Sequence, residues 1–165
     1  MFQIFLKKRA VSQHGFTLIE VMVSLVIFVI AIVGCYRLQF ASSFSNSRSN
    51  SVATSSTWAQ DWAEDLISRQ FESYYTDPLL LNTTGSTAIA HLDDATAATA
   101  DGVRYVHADG TIDTTAASAI YTIYWNILDN RPLNSVKQIR IIVVKNSGPS
   151  SGQLYTQDYF KLGPL

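Results

Sequence analysis

The sequence predicts an α+β fold in which a long N-terminal α-helix packs on a small antiparallel β-sheet head. Three observations predict it. Residues 16–36 form an apolar run whose single charge is Glu20, and residues 37–72 contain neither Gly nor Pro, so nothing obliges the helix begun there to stop. Trp58, Ala59, Trp62, Ala63, Leu66, Ile67 and Phe71 recur at three- and four-residue spacing, opposite Asp61, Glu64, Asp65 and Glu72. Beyond residue 100 the apolar period changes to two, in pieces separated by turn-forming residues. A helix followed by consecutive strands gives an antiparallel α+β arrangement, and the Trp58 stripe is the available cover for the sheet.

The N-terminal segment comes first. Residues 1–15 carry Lys7, Lys8 and Arg9 and no acid, and end in Ser12-Gln13-His14-Gly15. An ordinary secretory signal is cut after its apolar core, at small residues. Here the small residue, Gly15, lies in front of the core, so a cut after it removes the leader and keeps the apolar segment. As a helix, residues 16–36 rise about 31 Å at about 1.5 Å per residue, which matches a hydrocarbon core of about 30 Å. A Glu20 carboxylate at that depth costs about 2.5 kcal/mol or more unless it is paired. A new terminal amine supplies such a partner.

Gly15-Phe16-Thr17-Leu18-Ile19-Glu20, behind a basic leader and ahead of an uninterrupted apolar helix, resembles the processing motif of type IV pilins and type II secretion pseudopilins. The resemblance covers roughly residues 7–40. It implies cleavage between Gly15 and Phe16 by prepilin peptidase and N-methylation of Phe16. It further implies that Glu20 meets the terminal amine of a neighbouring subunit in a filament core. The implied partners are other major and minor pilins, the inner-membrane pilus assembly machinery and membrane lipid. The implied location is the bacterial inner membrane before assembly and the pilus or cell surface afterwards. Independently, the basic leader places the N-terminus in the cytoplasm and the C-terminal domain outside; with the resemblance, this implies a single-pass chain whose C-terminal domain is periplasmic. A plain signal anchor with Glu20 near the interface is the simpler alternative.

Composition narrows the function further. Apolar residues make up 47% of the chain and the net charge is −1, which favours neither disorder nor a nucleic-acid binder. The leader takes three of the twelve basic residues, leaving nine basic against thirteen acidic side chains, a net of −4. Cys35 is the one cysteine, so the head cannot close an internal disulfide, as many major pilins do. Ile32-Val33-Gly34-Cys35 also resembles a lipoprotein cleavage box, which would make the chain a membrane-tethered periplasmic binding protein. An apolar core this long and interrupted by Glu20 favours instead a small apolar residue in a membrane helix.

After the membrane segment, residues 37–72 read as helical stalk and spine and 73–165 as the head. The stretch 42–57 is rich in Ser, Thr and Asn, whose poor helix propensity predicts fraying or only local helix. Many major pilins carry a Pro where Arg37 stands in the register of the motif. Between residues 74 and 101, Pro78 and Asn82-Thr83-Thr84-Gly85 indicate turns, Leu79-Leu80-Leu81 a short extended piece, and 86–100 an Ala/Thr-rich loop. In pilins the variable, exposed region occupies this place, which makes 74–101 the expected seat of partner specificity. Asp93, Asp94, Asp101, Asp109 and Asp113 gather around it, and a calcium site is one reading of them. Their spacing matches no named loop.

The strands are expected at 103–108, ending in an Asp109-Gly110 turn, and at 121–127. Tyr121, Ile123, Trp125 and Ile127 there alternate with Thr122, Tyr124 and Asn126, the pattern of a half-buried strand. Asp129-Asn130-Arg131-Pro132 breaks that strand. Residues 137–145 and 154–162 follow, separated by the loop 146–152. The pair of strands at 121–127 and 137–144 loosely resembles the PilV-type minor pilins. No catalytic constellation is present. His91 and His107 lack metal-ligand spacing, His14 leaves with the leader, no serine sits in a Gly-x-Ser-x-Gly motif, and there is no phosphate loop. With no catalytic residue, metal or cofactor indicated, the sequence describes a building part, in which Gly15, Phe16 and Glu20 carry processing, methylation and assembly.

Overall fold

A computed structural model of the 165-residue chain describes residues 15–69, 77–148 and 151–163. The leader residues Lys7, Lys8, Arg9 and His14, the expected stripe residue Phe71 and the polar-face residue Glu72 lie outside that set. The chain divides into two compact units, Met1–Ser42 and Ser43–Leu165. A single helix, α1 (Leu18–Ser68, 51 residues), supplies the described helix of both.

Among the described residues of the first unit, nothing packs on α1. Every residue from 15 through 50 is exposed, including Met22, Ile27, Phe28 and Ile30. The same helix is long and apolar enough to cross a membrane. Burying a large apolar side chain is worth about 1.5–3 kcal/mol, so a surface of this kind is stable only when lipid or other helices cover it.

The second unit is the head. The expected fraying over 42–57 does not occur, and α1 runs through it. The hydroxyls are accommodated within the helix. Ser51 donates to the Ser47 carbonyl at 3.0 Å, Thr54 to that of Asn50 at 2.9 Å and Ser55 to that of Ser51 at 2.8 Å. Such back-bonding satisfies the hydroxyls within helical geometry but is itself slightly destabilising, so the packing of this stretch is what holds it. The size of these side chains matters as well. Ser51, Ser55, Ala59, Ala63 and Leu66 are the buried residues of α1, one small-residue face along which the helix approaches the sheet. Of the expected stripe, Trp58 and Trp62 are partly buried and Ile67 is exposed. The last turn of α1 has no basic residue of its own. Lys161 from the sheet instead donates to the Ile67 carbonyl, placing a cation at the negative end of the helix.

The sheet comprises β1 (Gly102–Val106), β2 (Ile112–Asp113), β3 (Tyr121–Asp129), β4 (Val136–Lys145) and β5 (Gly152–Leu162), in the order β2-β1-β3-β4-β5. All neighbours are antiparallel. One face meets α1: Val106, Ile123, Trp125, Ile127, Ile139, Ile141 and Val143 form a core cluster with Ala59, Ala63, Leu66 and Leu80. Helix followed by antiparallel sheet is the α+β, pilin-like arrangement that the sequence predicts. The short β2 was not expected. It pairs with β1 across a turn in which Gly110 adopts φ +83° and the Asp109 carboxylate accepts from the Thr111 amide at 3.0 Å.

Two further expectations are corrected. The piece containing Leu79-Leu80-Leu81 is not extended; Pro78–Leu80 is a 3-10 turn that Asp77 caps by accepting from the Leu79 amide at 2.9 Å. Proline at its first position supplies the fixed φ that such a turn needs. The stretch 86–100 is not all loop either, because Ile89–Asp93 forms a 3-10 turn with His91 and Leu92 buried. That turn covers part of the face of β3 opposite α1. Asn126, expected on an open polar face, is therefore buried; Thr122, expected there too, is also buried and donates to Asn146 Oδ1 at 2.9 Å.

Candidate processing and assembly site

Gly15, Phe16 and Glu20 all lie at the start of α1. Residues 15–17 are non-helical and exposed, and among the described residues the space beside the Gly15 Cα is open. The Phe16 side chain stands in the open at 85% exposure. A peptidase must read its scissile bond in non-helical backbone, and the Gly15–Phe16 bond has that form.

Two residues later the chain enters the helix through a reciprocal cap. Thr17 precedes the first helical residue, and Glu20 occupies the third helical position. The amide and the hydroxyl of Thr17 each donate to Glu20 Oε2 at 3.4 Å, while the Glu20 amide donates to Thr17 Oγ1 at 3.3 Å. This is the Ser/Thr-x-x-Glu capping box. The expectations from sequence give Glu20 a role and Thr17 none, although Thr17-Leu18-Ile19-Glu20 ahead of an apolar run is the readable signal for a cap. The contacts are long, so the carboxylate is only loosely held. Its negative charge suits the positive end of the helix. Among the described residues Glu20 has no cationic partner. Among the described residues the exposed Glu20 carboxylate, at the head of the apolar segment 16–36, thus meets only Thr17 and the end of the helix. Cys35 is exposed in the same helix, within unbroken helical backbone.

A comparison with known protein families finds that the family described as the prokaryotic N-terminal methylation motif matches residues 11–36. The chain carries a prokaryotic N-terminal methylation motif. No curated protein and no solved structure matches the chain. The methylation motif spans the Gly15–Phe16 bond, the Thr17–Glu20 cap and the apolar helix as far as Tyr36. It supports a type IV pilin-like or pseudopilin protein, and with the apolar helix it fits a membrane-anchored pilin.

The acids of the head do not converge. Asp93 accepts from Arg140 Nη1 at 2.6 Å, Asp113 lies 3.1 Å from His107 Nε2, and Asp109 caps the β1–β2 turn. Asp94 and Asp101 both serve His91, at 2.8 Å each. Among the described residues no group of three or more His, Cys, Asp or Glu is placed to hold a metal ion. Burial opposes charge on His91, but the hydrogen bonds and charges of Asp101 and Asp94 outweigh it and raise the pKa of the ring above its ordinary value.

Proposed function

We propose that the chain is a minor pilin. Prepilin peptidase cleaves it between Gly15 and Phe16 and methylates the Phe16 amine. The mature chain is held in the inner membrane by residues 16–36, with the head periplasmic, and is then incorporated into a type IV pilus in contact with other major and minor pilins. Assembly proceeds by burial of the apolar helix against neighbouring subunits. Glu20 neutralises the Phe16 amine of the adjacent subunit and so sets the register. Placement in the initiation complex or at the tip suits a minor subunit.

The observation that carries this reading is that, among the described residues, the first half of α1 is uncovered and the carboxylate at its start meets no cation. Lipid alone covers the apolar surface and leaves the charge; a neighbour with a terminal amine covers both. The loose likeness of β3 and β4 to PilV-type strands favours a pilus over a type II secretion machine, which uses the same motif.

Mass spectrometry of the membrane fraction tests the processing. A chain beginning at N-methyl-Phe16 is expected. A chain beginning at lipidated Cys35 makes the head a tethered binding domain, and an uncut Met1 makes the segment a signal anchor. For the assembly step, Glu20→Ala is expected to insert normally and to be depleted from sheared filaments; normal amounts there refute the role of Glu20.

A further inference from the structure

His91 is buried with a carboxylate on each ring nitrogen. Nδ1 lies 2.8 Å from Asp94 Oδ2 and Nε2 lies 2.8 Å from Asp101 Oδ2. Only the doubly protonated ring donates to both at once. We propose that His91 is a proton-operated latch on the segment 82–101, which holds both carboxylates when charged and releases Asp94 when it loses its Nδ1 proton. The inference rests on the geometry of the head and is independent of the assembly reading.

The two carboxylates are not equivalent, and the difference decides which contact opens. The Asp101 side chain is 0% exposed and that of Asp94 is 37% exposed, on either side of a ring that is 4% exposed. Asp101 also accepts from the Ile127 amide at 2.7 Å, from Thr83 Oγ1 at 3.1 Å and from the Thr84 amide at 3.2 Å. A buried carboxylate fixed by that many donors cannot turn to water, so it retains the one remaining ring proton, on Nε2. Asp94 can hydrate. In the neutral state its carboxylate faces the bare lone pair of Nδ1 and swings outward. Thr84 Oγ1, 3.2 Å from Nε2, is the other polar neighbour of the ring.

The charged groups on the elements beneath are engaged elsewhere. Arg140 of β4 reaches the same 3-10 turn at Asp93 and is held from β5 by Asp158. The Asn126 side chain of β3 is neutral and keeps the Leu92 and Asp94 carbonyls in place at 3.0 and 2.8 Å. Deprotonation therefore frees the Asp94 side chain and the turn after it while the backbone at 92–94 stays anchored. The sign follows from linkage. A group whose folded pKa is raised stabilises the fold fully below its unfolded pKa, and that contribution is lost as pH rises through the folded value. The latch is closed in mildly acidic medium and opens above the midpoint of His91. The released surface borders an open cleft of about 420 Å³ lined by Thr84, Ala90, Asp94 and Thr99 among others, so proton release changes the charge that this part of the head presents.

The test uses the full chain in detergent micelles. Long-range nitrogen-proton NMR of the imidazoles across the pH range is expected to show His91 titrating above the ordinary 6.5, with the neutral ring protonated on Nε2. Hydrogen exchange at 94–99, corrected for intrinsic rate, is expected to step up through the same midpoint. His91→Gln should lose that step, and His107→Gln should keep it. A midpoint at or below 6.5, an Nδ1-protonated neutral ring, or an unchanged step in His91→Gln overturns the proposal. If His91→Gln does not fold, the wild-type titration and exchange decide alone.

Discussion

Gly102 lies directly opposite Trp125 in the β1–β3 pair, and the indole occupies the space where any side chain on residue 102 would begin. The ring cannot retreat. It is 1% exposed, its Nε1 donates to the Leu79 carbonyl at 3.1 Å, and Trp62 packs against it with centroids 5.1 Å apart. Arg104 lies over both indoles, 5.6 Å from each ring centre. Gly102→Ala therefore overpacks the core and is expected to destabilise the head by about 1–3 kcal/mol or more. Denaturant unfolding followed by far-UV circular dichroism measures it. Trp125→Phe makes room, so the double variant should lose less than the two single losses added together.

Asn126 performs a comparable service on the opposite face of the sheet. Its side chain donates to the Leu92 and Asp94 carbonyls at 3.0 and 2.8 Å and accepts from the Asp101 amide at 3.2 Å, with no exposure to solvent. Asn126→Leu leaves those backbone groups without partners. Each buried orphan costs about 1–3 kcal/mol unless it reaches water, so the segment 82–101 should lift off before the helix–sheet core yields. Limited proteolysis is expected to cut within 82–101 first and to leave β3–β5 intact. Protection equal to wild type would show that the segment is held by other contacts.

These two residues also show where the sequence was legible. The alternation of Tyr121, Ile123, Trp125 and Ile127 located β3 and its core-facing side, because one face of a strand is written in a period of two. The same alternation puts Asn126 on the solvent side. No local signal reveals that residues some thirty positions earlier fold back over it, since the bonds to Leu92 and Asp94 span |i−j| of 34 and 32. The Ser-rich stretch failed for a related reason. Propensity forecast fraying, but Ser51 and Ser55 are small enough to face the sheet, and tertiary packing overrides propensity. The N-terminal site needed no such folding back. The methylation motif matched at residues 11–36 is local, with Gly15, Phe16 and Glu20 inside one six-residue stretch, and the capping signal of Thr17 lies in the same stretch.

Arg140 and Asp158 make one part of the head's stability sensitive to acid. Arg140 Nε and Nη2 donate to the two carboxylate oxygens at 2.6 and 2.8 Å, a two-pronged pair across β4 and β5. These bonds hold the Asp158 carboxyl below its usual range, against a smaller opposing effect of burial. A carboxylate with a depressed folded pKa stabilises the fold above its unfolded pKa, and that contribution is lost as pH falls through the folded value. The head should therefore weaken below about pH 4, near the ordinary Asp pKa. Asp158→Asn should cost about 1–2 kcal/mol at neutral pH, given that both groups are partly solvated. Unfolding midpoints of wild type and Asp158→Asn are expected to converge as pH falls; a constant gap would discount the pair.

Thr17 and Glu20 invite an experiment that separates cap from charge. Both residues complete the capping box, but only Glu20 carries a charge that a neighbouring amine can neutralise. Thr17→Val removes the hydroxyl that accepts from the Glu20 amide at 3.3 Å and should cost about 1 kcal/mol in the first turn of α1. In micelles this appears as faster hydrogen exchange at the amides of Ile19 and Glu20. Glu20→Gln keeps a side-chain oxygen able to accept from Thr17 and loses only the charge. If charge neutralisation between subunits drives incorporation, Glu20→Gln is depleted from sheared filaments while Thr17→Val, frayed in its first turn, assembles near normally, because a filament core that buries the helix reinforces it from outside. Equal depletion of both variants would mean that assembly reads the shape of the helix start, and the role of Glu20 would then be to build that start together with Thr17.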